Sequence, residues 1–461
     1  MRLKRLVLVS VAGFIFFVAL RLVTVSQAAG TVGTGTPESC NEAALDAALV
    51  GGGAITFNCG KSPVVITLAN EKTIADNVSI DGNGLITLSG RNVSRIFHVN
   101  PGGTLELHKL ILSHGAANDT SETAHDGIGG AILNDGGTVS LFDTMIRSGR
   151  ADHSGGGIYN RGGTLTLVRT TIADNYVSDN GSGLLNENGT VIIANSTFSA
   201  NFAGKNGGGL FNFAGTITII NSTFYNNSAG FNGSGILNNA EGTVAIKNSI
   251  IANAPSGDTP LTGNCGGKVV DGNKNIQFPD DSCGKSIPVA DPQLGTLADN
   301  GGFVLTHALK PSSPAVNKAD NTVCQADPIN KVDERGVARL VSGACDVGAF
   351  EYDPKNPGKG FEGDCQCSNP TPAPKPTTAL RRPTVTVTKS ACQPTQPGLP
   401  CNCNGFCDPG ESYYTCPQDC PFAPVNPGGG PCVGQGQKCG GPGGASCCPG
   451  LTCVPGVGLC R

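Results

Sequence analysis

Segments opening on Thr plus an apolar residue recur nearly every 26 residues through the middle of this chain. They begin at Thr138, Thr164, Thr190, Thr216 and Thr243, with a longer related unit opening at Thr104. Each period carries a short glycine cluster ending in Asn, as in Gly155-Gly156-Gly157-Ile158-Tyr159-Asn160 and Gly207-Gly208-Gly209-Leu210-Phe211-Asn212. A fixed period of this length belongs to a stacked solenoid, because one repeat cannot bury its apolar face alone and must lean on its neighbours.

The repeat reads as strands and turns. Thr164-Leu165-Thr166-Leu167 and Thr216-Ile217-Thr218-Ile219 alternate polar and apolar, so one face is buried and the other wet. A second strand holds Thr171-Ile172, Thr197-Phe198, Thr223-Phe224 and Ser249-Ile250 in register, and a third follows each glycine cluster. Nothing inside the repeats has helical periodicity. The fold class is therefore all-β, a parallel β-helix of about 26 residues per coil. Phe211 and Phe224 fall in strand register and are expected in the core, while Phe202 and Phe231 are expected at the surface.

Two Asn columns supply a polar spine: Asn134, Asn160, Asn186, Asn212 and Asn238, and then Asn175, Asn201, Asn227 and Asn253. Side-chain amides stacked in register can bond one another and the turn backbone. Gly115 and Gly149 take the second column's earlier positions, consistent with a turn that tolerates positive φ in Gly or Asn.

The ends differ from the middle. Arg2, Lys4 and Arg5 precede an apolar run from Leu6 to Leu20, and Ser26-Gln27-Ala28-Ala29 follows. This layout predicts a secretory signal over 1–29, cleaved after Ala28 or Ala29. An uncleaved anchor is the other reading, although the run is short for spanning a bilayer. Membrane contact is expected only through this segment. Export agrees with the 20 cysteines. Cys40 with Cys59, Cys265 with Cys283 and Cys324 with Cys345 are the expected local pairs, stapling ends and loops.

Between Cys40 and Cys59, Ser39 or Asn41 can cap a helix whose apolar face is Ala43, Ala44, Leu45, Ala47, Ala48 and Leu49, stopped by Gly51-Gly52-Gly53. It would cover the solenoid's exposed N-terminal edge. The β-helix is expected to fill 30–352, with its last coils around Val304 to Phe350. A Pro/Thr-rich linker spans 353–400. Two cysteine modules follow, at 401–421 and 431–461. In the first, Asp408, Glu411 and Asp419 interleave with cysteines as a small calcium site or a plain disulfide microdomain. No other cofactor is expected.

Cys432, Cys439, the adjacent pair Cys447-Cys448, Cys453 and Cys460 resemble the inhibitor-cystine-knot, or knottin, family. That resemblance implies pairing of Cys432 with Cys448, Cys439 with Cys453 and Cys447 with Cys460, whereas six cysteines alone permit fifteen connectivities. Residues 31–352 resemble a bacterial family of secreted right-handed β-helix proteins with repeats similar to polymorphic outer-membrane proteins and a terminal anchor-associated domain. Cys40-Asn41-Glu42-Ala43-Ala44-Leu45, Asp291-Pro292-Gln293-Leu294-Gly295, Asp333-Glu334-Arg335-Gly336 and Cys345-Asp346-Val347-Gly348-Ala349-Phe350-Glu351 carry the likeness. It implies secretion and surface display more than any reaction.

Catalysis on such a scaffold needs two carboxylates at defined separation, or a base with a cation to acidify a sugar's α-proton. The strongest charged group is early: Glu106, His108, His114, Asp119, His125, Asp126 and Asp143, partly on an insertion in the coil opening at Thr104. Glu106, Asp143, Asp126 and His125 are the catalytic candidates, against the plainer reading of a solvated polar loop. Asp280-Asp281 reads as an ordinary turn beside Cys283. Net charge of −4 and the absence of Trp leave no basic face for nucleic acid and no broad aromatic platform. Outward Thr pairs suit ice binding only at Thr164/Thr166 and Thr216/Thr218. The expectation is a secreted, non-catalytic β-helix binding an extracellular polysaccharide or cell-surface glycan, with Phe202 and Phe231 as contact candidates. The alternatives are a polysaccharide lyase or glycoside hydrolase targeted by its knottin-like module, and a structural filament. The oligomeric state is left open.

Overall fold

A computed structural model describes residues 30–119, 127–253, 263–341 and 343–357. The expectations for 1–29, for His125 and Asp126, and for everything after 357 lie outside the described residues, including Asp408, Glu411, Asp419 and the knottin-like cysteines.

Like strands stack on like. Thr138 pairs in parallel with Thr164, Thr164 with Thr190, Thr190 with Thr216 and Thr216 with Thr243. The result is a parallel β-solenoid of about nine turns with one 21-stranded sheet and a 5-stranded lateral sheet. Alternation puts Leu165, Leu167, Leu184 and Ile217 inside with no exposure. Phe198 and Phe224 stack in the interior at 4.5 Å. Phe211 departs from expectation: it is buried but points out of the core, because it follows inward-facing Leu210 and precedes inward-facing Asn212.

Each long strand bends once. Asp143, Arg169, Asn195, Asn221 and Asn248 sit at this corner with φ between 45° and 52°. The next residue turns its hydroxyl inward: Ser196 N donates to Ser222 Oγ, and Ser222 N to Ser249 Oγ, each at 3.2 Å. The Asn columns act as amide ladders. Asn134, Asn160, Asn186 and Asn212 each donate from Nδ2 to Oδ1 of the next coil's Asn at 2.7, 2.8, 2.9 and 2.8 Å. A Cβ at Gly189 would lie 2.1 Å from Asn160 Nδ2, so the ladder itself demands glycine there. Asn175 and Asn201 likewise donate onward at 2.8 Å.

The positive-φ account of Gly115 and Gly149 fails. The left-handed residues are one position earlier, at His114, Ser148, Asp174, Ala200 and Asn226. Gly149 is small for space: a Cβ would meet Gly156 O at 2.4 Å and Asn175 Oδ1 at 2.8 Å. Its N–H starts the second ladder by donating to Asn175 Oδ1 at 2.8 Å.

Helix α1 (Glu42–Leu49) closes the N-terminal end, with Asn41 Oδ1 accepting from Ala44 N. Buried Lys72 ties it to the next coil through Glu42 and Asp46, each at 2.7 Å. Cys40–Cys59, Cys265–Cys283 and Cys324–Cys345 are disulfide-bonded.

The C-terminal region corrects the expected last coils. Parallel strand stacking ends with Ile276–Phe278, followed by a single parallel bridge from Gln277 to Val289. Residues 291–352 instead form a strap along the outside of the coils, built from an antiparallel hairpin (Leu294–Ala298 with Thr306–Leu309) and helix α2 (Asn321–Gln325). Ala308, Leu309, Ala315, Val347 and Phe350 pack there against Val168, Ala194, Ile250 and Ala252, forming a second core. The solenoid's corner residues hold it: Arg339 Nη2 donates to Asn195 Oδ1, and Asn195 Nδ2 to Val332 O, both at 2.8 Å. Gly348 N donates to Asn248 O at 2.8 Å, and Ala349 N to Thr223 Oγ1 at 3.0 Å. Asp333, Glu334, Arg335 and Glu351, which carry the family likeness, are all buried in this joint.

Candidate functional site

The strap covers one lateral face, and a different one stays open. It is made of two-residue strands in register: Ala116–Ala117, Arg150–Ala151, Tyr176–Val177, Phe202–Ala203 and Ser228–Ala229. The second residue of each pair is small or β-branched and faces in; the first faces out. Tyr176 and Phe202 stack at 5.6 Å with planes 8° apart, and the Arg150 guanidinium lies 5.6 Å from the Tyr176 ring centre. Beside this ladder runs a second column, His153, Asp179, Lys205 and Phe231, fixed by coil-to-coil pairing of Ser154, Asn180, Asn206 and Asn232. Lys205 pairs with Asp179 at 2.7 Å, His153 Nε2 lies 3.0 Å from Asp119 Oδ2, and Phe231 is 64% exposed.

The chain then turns sharply through Gly155, Gly181, Gly207 and Gly233, all with φ near 65°. A Cβ on Gly181 would sit 2.7 Å from Leu185 Cβ, so this turn lies against the outward side chains of the following strand. Those side chains form an apolar column, with Leu133, Leu185 and Phe211 buried and Tyr159 and Leu237 half-buried. Two residues further on, Asp135, Arg161, Glu187 and Phe213 make a more open row. Arg161 Nε donates to Asp135 Oδ1 at 2.8 Å, and Tyr159 OH to Glu187 Oε2 at 2.9 Å. Burial and the Glu187 charge push the Tyr159 phenol upward, so it stays protonated. The hydrogen bond to Asp135 holds the Arg161 guanidinium above its ordinary value. Each pair joins neighbouring coils, 26 or 28 residues apart. Reading charges at the coil period would have found them in the sequence; a search for acid arrays alone did not.

Of the catalytic candidates, the two among the described residues, Glu106 and Asp143, hold different partners. Glu106 bonds His108 Nε2 at 2.6 Å, which holds its carboxyl below the ordinary range, and the His108 ring stacks on Phe142 at 5.0 Å. Asp143 is engaged elsewhere, in a two-pronged pair with Arg169 at 2.6 and 2.8 Å. Asp280 is a turn residue, accepting from Asn264 N at 3.1 Å and Ser282 N at 2.9 Å. Among the described residues no three His, Cys, Asp or Glu side chains are placed to share a metal, and no helix is long and apolar enough to cross a membrane.

Compared with known proteins, the chain matches no family model, no curated sequence and no solved structure.

Proposed function

We propose that this is a secreted β-helix protein that binds extracellular glycan along its open lateral face without cleaving it, as an adhesion or surface-attachment protein would. The observation that carries the reading is the Arg150–Tyr176–Phe202 ladder with exposed Phe231 in the neighbouring column. Sugars present C–H faces that pack on rings and hydroxyls that bond planar polar groups, and this face offers both in consecutive coils. The signal-like N-terminus and the three disulfides support export. The likeness to secreted surface-displayed β-helix proteins points the same way. Cleavage is the weaker reading, because Glu106 and Asp143 already hold separate partners.

The test is depletion of the full chain from solution by insoluble cellulose, chitin, xylan and pectin. The double variant Phe202→Ala, Phe231→Ala should stay in the supernatant while unfolding at the wild-type temperature. Equal depletion of variant and wild type would sink this reading.

A further inference from the structure

Resting on that glycan reading, we infer that the ligand is a neutral glycan lying along the solenoid axis. Its sugars are contacted, on the far side of the glycine turn, by the row Asp135, Arg161, Glu187 and Phe213 together with Tyr159. The geometry of the row is the argument. Asp135, Arg161 and Glu187 are register neighbours in consecutive coils; in the next coil Glu187 pairs with Ala214, and Phe213 is the extra residue of the register shift that follows Asn212, the partner of Asn186. One contact residue per coil means one every ~4.8 Å, close to the advance per residue of an extended β-linked sugar chain.

The row is also held in place. Phe213, 43% exposed, stands edge-on against buried Phe211 at 6.0 Å. Tyr159 steadies Glu187, and Asp135 steadies Arg161 through Nε. These bonds leave Glu187 Oε1 and both Arg161 Nη groups for sugar hydroxyls. Groups already ordered lose little freedom on binding.

Charge selects the class. One cation between two carboxylates leaves the row with a net charge of one negative. Uronate, sulfate or phosphate polymers would be repelled by Asp135 and Glu187, and the one guanidinium between them is already neutralised. A neutral polyhydroxyl chain loses nothing to this pattern and gains both acceptors and donors.

The experiment is affinity electrophoresis of the full chain through gels containing a soluble neutral β-glucan, xylan or polygalacturonate. Wild type should be retarded by a neutral polymer and not by polygalacturonate. Phe213→Ala and Glu187→Gln should each weaken retardation roughly tenfold, as expected when a ring or charged hydrogen-bond contact is lost. Neither should move the thermal midpoint, since Phe213 is exposed and Gln copies the shape of Glu. Retardation abolished by Phe202→Ala but unaffected by both row variants would overturn this row and leave the glycan reading standing. Preference for polygalacturonate would overturn the neutral class. No retardation in any gel would overturn both.

Discussion

Glu334 gives the sharpest test of how the strap is fastened. Its side chain is wholly buried, with Oε1 3.2 Å from Thr171 Oγ1 and Oε2 against Thr197 Oγ1. Thr171 Oγ1 also lies 2.7 Å from Leu305 O, a group that can only accept. A hydroxyl has one proton, so if Thr171 gives it to Leu305, the contact with Glu334 needs a proton on the carboxyl. Burial, reinforced by the neighbouring Asp333 charge, drives Glu334 well above the ordinary carboxyl range in agreement. Glu334→Gln should then be tolerated within ~1 kcal/mol, its Nε2 donating to Thr171 and its Oε1 accepting from Thr197.

Glu334→Ala should not be tolerated. It strands the Thr197 hydroxyl, at ~1–3 kcal/mol, and removes one buried methylene, Cγ, at ~0.8 kcal/mol. The sum is roughly 2–4 kcal/mol. Amide hydrogen exchange across 291–352 reads strap opening directly, and that loss corresponds to exchange about thirty- to a thousand-fold faster. Exchange unchanged in Glu334→Ala would mean the strap is fastened elsewhere. Equal damage from Gln and Ala would mean the carboxyl is ionised.

Burial and the nearby Asp346 charge push Glu351 up to about 7 from 4.5. A raised folded value makes its contribution complete below pH 4.5 and lost as pH rises through about 7, which is ~3 kcal/mol across that window. In urea titrations the stability difference between wild type and Glu351→Gln should shrink by that amount over the window, and a constant difference would refute it. Asn201→Ala breaks the second ladder at a site with no exposure, taking the Oδ1 acceptor from Asn175 N and Nδ2 and the Nδ2 donor from Ile172 O and Asn227 Oδ1, and should cost ~2–4 kcal/mol by the same titrations. Wild type, Glu106→Ala and Asp143→Ala should all release no reducing sugar above buffer from cellulose, chitin, xylan or pectin. Release by wild type that either variant abolished would restore catalysis.

What could be read from the sequence was whatever repeats at the coil period. Thr164 and Asn160 find copies of themselves one coil away, Leu165 finds the apolar Val191, and these are their physical partners. The strap has no such signal. Arg339 meets Asn195 across 144 positions, and no local period announces a segment that folds back. Its charged motifs were visible as a likeness, but not their burial. The corner was half-legible in pairs such as Asn195-Ser196 and Asn221-Ser222. The candidate site fared worst. Asp143 drew notice as an acid near an insertion, although its partner Arg169 stands one period on. Phe202 and Phe231 do lie on one open face, whereas Arg161 went unremarked and Tyr159 was read only as part of the glycine cluster, because the sequence does not show the glycine turn resting on their column.

The central claim is that the solenoid's own side chains contact the glycan. Hydrogen exchange of the full chain, with and without a soluble neutral β-glucan oligosaccharide, tests this most directly. Slower exchange should be confined to the coils carrying Tyr159, Tyr176, Glu187, Phe202, Phe213 and Phe231. Protection limited to residues beyond 353, with these strands unchanged, would contradict the account.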